Sequence, residues 1–141
     1  MTTNSDAALY DQVRAWAEGS NPLVAAVELV IRAGLIYDRA PWVRTDNAWK
    51  TSAVDFDVLL TESGTLSSGQ QHLIRIAASL GQGTPVDLRE TTTNLDLKYT
   101  QLVMTAIAHA AGLTEPGTTI ESVDGLPTLT RYEPLAAWPT S

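Results

Sequence analysis

The sequence predicts an α+β fold: a small, mostly helical single domain of about four helices, with one β-hairpin and a proline-rich C-terminal arm or hairpin. Three observations support this class. Apolar residues recur at intervals of three and four in several segments, which is typical of amphipathic helices. Over residues 35–56 this period is lost and turn-forming residues appear. After residue 112, four of the seven prolines fall within the last 29 residues.

The composition is that of one ordinary globular domain. The chain has 141 residues, of which 44% are hydrophobic and 18% are charged. These values exclude the charge-rich composition of disordered chains and the apolar composition of membrane proteins. We expect a globular helical and hairpin domain at residues 1–112, followed by an acidic, proline-containing tail at residues 113–141.

The chain is acidic, with 9 Lys and Arg against 16 Asp and Glu and a formal net charge of -7. Most of the affinity of proteins for nucleic acids comes from cations that displace counterions, so this field would repel phosphate backbones on average. We therefore expect a protein partner and regard nucleic acid as an unfavourable one.

The absence of cysteine excludes disulfides, a thiolate nucleophile and a zinc site built on sulfur. Residues 1–11 carry two acids and no basic side chain, so the basic region of a signal peptide is missing. We expect a cytoplasmic protein without a membrane partner.

The second predicted helix is the most apolar one and should lie at the centre of the fold. Asn21 and Pro22 form a good cap and first turn, the helix runs over residues 23–33, and a glycine follows it. Glu28 and Arg32 form its only polar pair, at a spacing of four. An apolar surface nearly all round predicts that other elements cover this helix.

The other helices are predicted from spacing and caps. The first carries Leu9, Val13 and Trp16 on one face. The third begins with the capping-box pair Ser67 and Gln70 and runs to residue 80, where Gly81 and Gly83 end it. The fourth opens at Asn94 and ends at Gly112. Its expected core side consists of Leu95, Leu102, Val103, Ala106, Ile107 and Ala110.

Two segments have the pattern of β-hairpins. Residues 42–45 are expected to pair with residues 48–54, with Asp46 and Asn47 in the turn. Near the C-terminus, residues 123–126 predict a type I′ turn between two short extended runs, and Pro127 is tolerated only at an edge. The tail is therefore either a docked hairpin or a loose arm.

No motif of a common catalytic class occurs in the chain. The two histidines, His72 and His109, have no second ligand at metal-binding spacing. Asp55 and Asp57 could form an acid pair, but exposed carboxylates beside a strand end are usually solvated. We assign no catalytic residue, metal or cofactor, and expect that the chain is not an enzyme.

Three tryptophans are candidate partner-binding residues: Trp42, Trp49 and Trp138. Trp42 and Trp49 either form an aromatic platform on the first hairpin or pack from it onto a helix. Trp138 either plugs a surface groove or acts as a linear motif for a partner.

Residues 66–71 and 86–96 resemble the signature motif, Walker B strand and D-loop of ABC-type ATPases. In that family the signature Ser and Gly contact the nucleotide γ-phosphate across a dimer, and an Asp-Glu pair ends the Walker B strand. Here Arg89 stands where the aspartate belongs, and nothing upstream can cradle phosphates. We interpret the match as coincidental and residues 66–71 as the start of a capped helix.

A wider stretch, residues 20–112, is similar to small uncharacterised proteins of actinobacteria and their phages. This resemblance implies a habitat and no activity. The segments that carry it are residues 22–34, 41–46, 66–83, 85–88 and 95–96 leading to 108–112.

Two classes of function remain. The leading hypothesis is a small acidic protein–protein interaction or regulatory protein, phage-encoded on the resemblance above, that binds an unknown target through the hairpin face and the tail. The alternative is a winged-helix-like DNA-binding protein or a DNA mimic, because two capped helices lie near a hairpin. The expected recognition helix over residues 94–111 offers only Lys98 as a cation.

Overall fold

The computed structural model describes residues 4–140, and it describes side chains from residue 6 onward. Residues 1–3 and 141, which belong to the predicted segments 1–112 and 113–141, lie outside the described residues. The elements in chain order are α1 (Asn4–Ala17), α2 (Asn21–Arg32), β1 (Val43–Asp46), β2 (Thr51–Val54), α3 (Phe56–Glu62), a 3₁₀ turn (Ser63–Thr65), α4 (Ser68–Gln82), α5 (Leu88–Thr92), α6 (Leu97–Ala110), β3 (Gly117–Val123) and β4 (Leu126–Tyr132). The α+β class is confirmed, but the described residues contain six helices where about four were expected.

Helix α2 lies at the centre of the fold, as predicted. It packs against α1, α4 and α6, and its residues 25–31 are buried. The cap is one residue earlier than expected: the Ser20 hydroxyl, and not Asn21, accepts the Leu23 N–H at 3.4 Å. Gly34 follows with φ 77°, the left-handed backbone that glycine adopts at helix ends.

Most of the core is aliphatic and comes from the helices and from the connection after α2. On α6, Leu102, Val103 and Ala106 are buried as predicted, but Ile107 is half exposed on the outer side. The largest fully buried aliphatic side chains are Val13, Val27, Leu29, Val30, Ile36, Leu59, Leu73, Ile74 and Leu102.

Side-chain caps fix where the later helices begin. The predicted capping box of α4 is confirmed: Ser67 Oγ accepts the Gln70 N–H, and Gln70 Oε1 accepts the Ser67 N–H, both at 3.2 Å. The expected start of α6 at Asn94 is wrong. Asp96 caps that helix by accepting the Tyr99 N–H at 2.7 Å, because its carboxylate reaches the orphan donors of the first turn.

Gly81 does not end α4, contrary to the sequence prediction. It lies inside the helix, which continues to Gln82 and is closed by Gly83 at φ 77°. A Cβ on Gly81 would lie 2.7 Å from the Phe56 ring and 3.2 Å from the Ala26 side chain. Glycine is present here because α3 and α2 approach the α4 backbone too closely for any side chain.

The first hairpin, β1 and β2, is present as predicted, but its turn lies later in the chain than the expected Asp46 and Asn47, and its second strand is shorter. Val43 pairs with Val54 and Asp46 with Thr51, so residues 47–50 form the loop. The Asp46 carboxylate accepts the backbone N–H of Ala48 and Trp49 at 2.9 and 3.2 Å. Such a side-chain bond is the usual reason for aspartate in a turn.

The tail forms a second hairpin, β3 and β4, with no separate proline-rich arm among the described residues. Asp124 and Gly125 have φ values of 50° and 78° between the paired residues Val123 and Leu126. Two successive left-handed residues are those of a type I′ turn, as predicted. After Tyr132 the chain returns to the helices and packs Trp138 against the core.

Candidate interaction surface

The β3–β4 hairpin presents apolar side chains to solvent. Its two strands contact mainly each other, and Gly117 is the one residue of β3 that is even partly buried. Ile120 and Leu129 pair directly across the strands and are 70% and 74% exposed. Val123 and Leu126 form a second exposed pair next to the turn.

The two faces of the hairpin differ in chemistry. Directly paired residues point to the same face of a sheet, and that face alternates along each strand. One face, called here the apolar face, therefore carries Ile120 and Leu129 at its centre, flanked by the pairs Ser122 with Pro127 and Thr118 with Arg131. The opposite face carries threonines and Glu121, whose carboxylate accepts a hydrogen bond from the Thr130 hydroxyl at 3.3 Å. The pair Val123 and Leu126 also lies on that face, next to the turn.

The two edges of the hairpin differ in their hydrogen-bonding capacity. In an antiparallel pair joined by a two-residue turn, the backbone groups of alternate residues point outward, away from the partner strand. On β3 these residues are Thr118, Ile120 and Ser122, each with an N–H and a C=O. On β4 the residue opposite Ser122 is Pro127, which has no N–H. The β3 edge is complete and the β4 edge is interrupted.

The base of the hairpin is anchored. The Tyr132 ring lies over Gly117, where a Cβ would collide with it. The Leu135 N–H donates to the Leu113 carbonyl at 2.9 Å. These contacts join the two ends of the hairpin segment and close its neck.

The structure separates the two tryptophans of the first hairpin. Trp42 is 3% exposed, donates its indole N–H to the Leu35 carbonyl at 2.6 Å and meets the Tyr37 ring edge-on at 5.9 Å. Trp49 lies in the turn and is 79% exposed. The two rings do not form a shared platform, because Trp42 belongs to the core.

Trp138 fills a surface groove beside α2 and α6. Its indole N–H donates to His109 Nδ1 at 3.4 Å, and the Arg32 guanidinium lies over its ring at 5.0 Å from the centroid. Arg32 also donates to the Pro139 carbonyl at 2.7 Å. The ring is half-buried, and these contacts hold residues 138–139 on the helices.

A buried carboxylate lies beneath this groove. Glu28 accepts hydrogen bonds from Arg14 Nε at 2.6 Å and from Arg32 Nε at 2.9 Å. Burial by itself raises the pKa of Glu28, but the hydrogen bonds and charges of the two arginines outweigh it and lower that pKa. The predicted pair of Glu28 and Arg32 is confirmed, and Arg14 from α1 completes it.

A wide cleft of about 980 Å³ lies between α1, α2, α6 and residues 139–140. Arg14, Arg32 and Lys98 are among its lining residues, together with two tyrosines. Glu28 already pairs with both arginines. The cationic character of the cleft is therefore much weaker than its residue types suggest.

Asp55 and Asp57 hold local structure. Asp55 accepts the Val58 N–H at 3.1 Å as the cap of α3 and pairs with Arg44 at 3.0 Å. The Val58 hydrogen bond and then Arg44 lower the pKa of Asp55, which disfavours a role as proton donor. Asp57 accepts a hydrogen bond from Gln82 at 2.8 Å. Across the described chain no group of three or more histidines and carboxylates could hold a metal ion.

The stretch that resembles an ABC-type ATPase has another structure. Residues 66–71 lead into the capped start of α4. Where the Walker B strand would lie, Asp87 caps the short helix α5 by accepting the N–H groups of Arg89 and Glu90. Our interpretation of a capped helix start at residues 66–71 is confirmed.

Sequence reasoning located the second hairpin but missed its apolar face. The signal was present: a turn at residues 124–125 fixes the register, and this register places Ile120 opposite Leu129. Whether this face is exposed depends on which other elements pack against it, and the local sequence does not determine that.

Compared with family models, curated proteins and solved structures, the chain matches none of them. Among residues 4–140, no helix has the length and apolar character needed to cross a bilayer.

Proposed function

We propose that this chain is a small acidic protein–protein interaction or regulatory protein whose contact element is the β3–β4 hairpin. The observation that carries the proposal is the exposed apolar face, Ile120, Leu129 and Pro127, on a hairpin that packs on little else. Exposed apolar groups that lie together, rather than singly, are typical of interaction sites.

The energetics favour a partner at this face. Covering Ile120 and Leu129 fully would contribute about 3–6 kcal/mol before the costs of association. A two-stranded hairpin is at best marginally stable by itself in water, so contact with another sheet or helix would also stabilise its backbone. The acids of the hairpin, Glu121 and Asp124 against one basic residue, Arg131, favour a partner with basic residues around an apolar centre.

The cellular role is part of the same proposal. The resemblance of residues 20–112 to small proteins of actinobacteria and their phages supports only the phage-encoded origin. A regulatory role in the cytoplasm, by binding and not by catalysis, is part of what we propose. Trp49 supports a second contact, because its exposed indole lies in a turn fixed by Asp46.

Affinity capture with matched variants tests the proposal. The hairpin variant is Ile120→Ser with Leu129→Ser, and the control is Met104→Ser with Ile107→Ser on the outer side of α6. The wild type and the control variant should both retain a specific partner, and the hairpin variant should lose it. The purified partner should then bind the wild type and the control variant more tightly than the hairpin variant. Equal retention by all three proteins would refute the hairpin as the contact element.

The second candidate is the winged-helix or DNA-mimic function. In its favour, the hairpin follows α6 directly, as a wing follows a recognition helix. Against DNA binding, α6 and the hairpin together contain only Lys98 and Arg131 as permanent cations. Salt-dependent retention on DNA would support this function, whereas no retention at low salt would exclude it. Competition with DNA for a captured protein would support the mimic.

A further inference from the structure

We infer that the β3 edge pairs with the β3 edge of a second copy of this chain, so that two hairpins form one four-stranded antiparallel sheet. The inference rests on the proposed function, because the same hairpin is the contact element. It adds that a second copy of this chain occupies the β3 edge. The starting observation is the asymmetry of the hairpin: Pro127 interrupts the outward donors of β4, while β3 contains no proline.

One symmetric register satisfies every outward backbone group of β3. With the two-fold axis at Ile120, the outward groups of Thr118 lie opposite those of Ser122 in the other copy, and Ile120 lies opposite itself. Each outward N–H then meets an outward C=O across the interface. In the described structure no backbone hydrogen bond outside the hairpin ladder reaches these three residues.

The side chains are also self-complementary in this register. The apolar face becomes a continuous row across four strands, Leu129, Ile120, Ile120 and Leu129, because directly opposed residues share a face. On the other face Glu121, the only charged residue of β3, lies opposite Thr119 of the other copy. No like charges meet, and a hydroxyl can donate to the carboxylate.

The size of the contact predicts a weak dimer. Seven residues at about 3.4 Å each give an edge of roughly 24 Å. A single edge of this length covers much less than the roughly 800 Å² per partner of a standard stable interface. We therefore expect a dissociation constant on the order of tens of micromolar, which requires measurement at high protein concentration.

Sedimentation equilibrium of the full chain over roughly 1 to 500 μM tests the inference with two lysine variants of equal charge. Ile120→Lys places like charges opposite each other at the two-fold axis and should weaken the dimer at least about tenfold. Thr119→Lys places a lysine opposite Glu121 of the other copy and should tighten the dimer about three- to tenfold, with the gain declining as salt is added.

A second pair of variants tests the backbone. Ser122→Pro gives β3 the same interruption that Pro127 gives β4 and should weaken the dimer at least about tenfold, whereas Ser122→Ala keeps the N–H and should change it less than about twofold. Far-ultraviolet circular dichroism checks that each variant is folded.

Three results would overturn the inference: a wild-type monomer at all concentrations, equal effects of the two lysines, or equal effects of the two Ser122 variants. Each is distinguishable from failure of the proposed function. A monomer that still captures a partner through Ile120 and Leu129 refutes the dimer alone.

Discussion

The buried carboxylate Glu28 offers the sharpest test of how the helices are held together. Glu28→Gln keeps the size of the side chain and removes the charge with which Arg14 and Arg32 pair. Breaking a fully buried ion pair costs about 3–5 kcal/mol. The arginine side chains here are 41% and 24% exposed, so water compensates part of the loss. We expect a loss of about 1–3 kcal/mol in the free energy of unfolding at pH 7.

The difference in unfolding free energy between the wild type and Glu28→Gln should depend on pH. Because the pKa of Glu28 is lowered in the folded state, its contribution is present at pH values above the ordinary carboxyl pKa of about 4.3 and is lost as the pH falls through the folded pKa. The wild type and Glu28→Gln should therefore differ most at neutral pH and converge in acid.

Urea unfolding followed by tryptophan fluorescence measures both effects. The control is Glu18→Gln, which removes one charge at an exposed position and should change stability by less than about 0.5 kcal/mol. A Glu28→Gln protein as stable as the wild type, or a difference that stays constant from neutral to acidic pH, would refute the contribution assigned to this ion pair.

Three further predictions concern packing and caps. Gly81→Ala should lower stability by about 1–2 kcal/mol although alanine favours helices by about 1 kcal/mol, because the new methyl group meets the Phe56 ring; a raised melting temperature would contradict this. Asp96→Ala should cost about 0.5–2 kcal/mol in urea unfolding, whereas Asp96→Asn should cost little, and equal losses would exclude the cap. Trp138→Ala should speed amide exchange of residues 133–140 in hydrogen-exchange mass spectrometry. Trp138→Phe, which loses the N–H to His109 and part of the ring area but keeps an aromatic ring, should have a smaller effect; unchanged exchange in both would show that the ring does not hold the segment.

The elements predicted best are those with local causes. The capping box at Ser67, the apolar character of α2 and the left-handed turn at residues 124–125 each depend on residues within one or two turns of chain. The pair of Glu28 and Arg32 is of the same kind, at a spacing of four. Such signals are readable because the interacting atoms are close in sequence.

The features that the sequence did not predict depend on contacts between residues that are far apart in the chain. Arg14 reaches Glu28 from another helix, and Gly81 is required by side chains that come from α3 and α2. Trp42 is buried in a core cluster to which helices distant in the chain contribute most of the residues. Hydrophobicity identifies Trp42 as a candidate for burial or for binding, but it cannot decide whether the side chain lies in the core or at the surface.

The hydrogen bond from Leu135 to Leu113 has a consequence for recognition. This bond joins the two ends of the hairpin segment to each other, so residues 113–135 form a closed hairpin and not an extended tail. A molecule that engages its tip would meet an element that is already ordered, and association would lose less conformational entropy than with an unstructured tail.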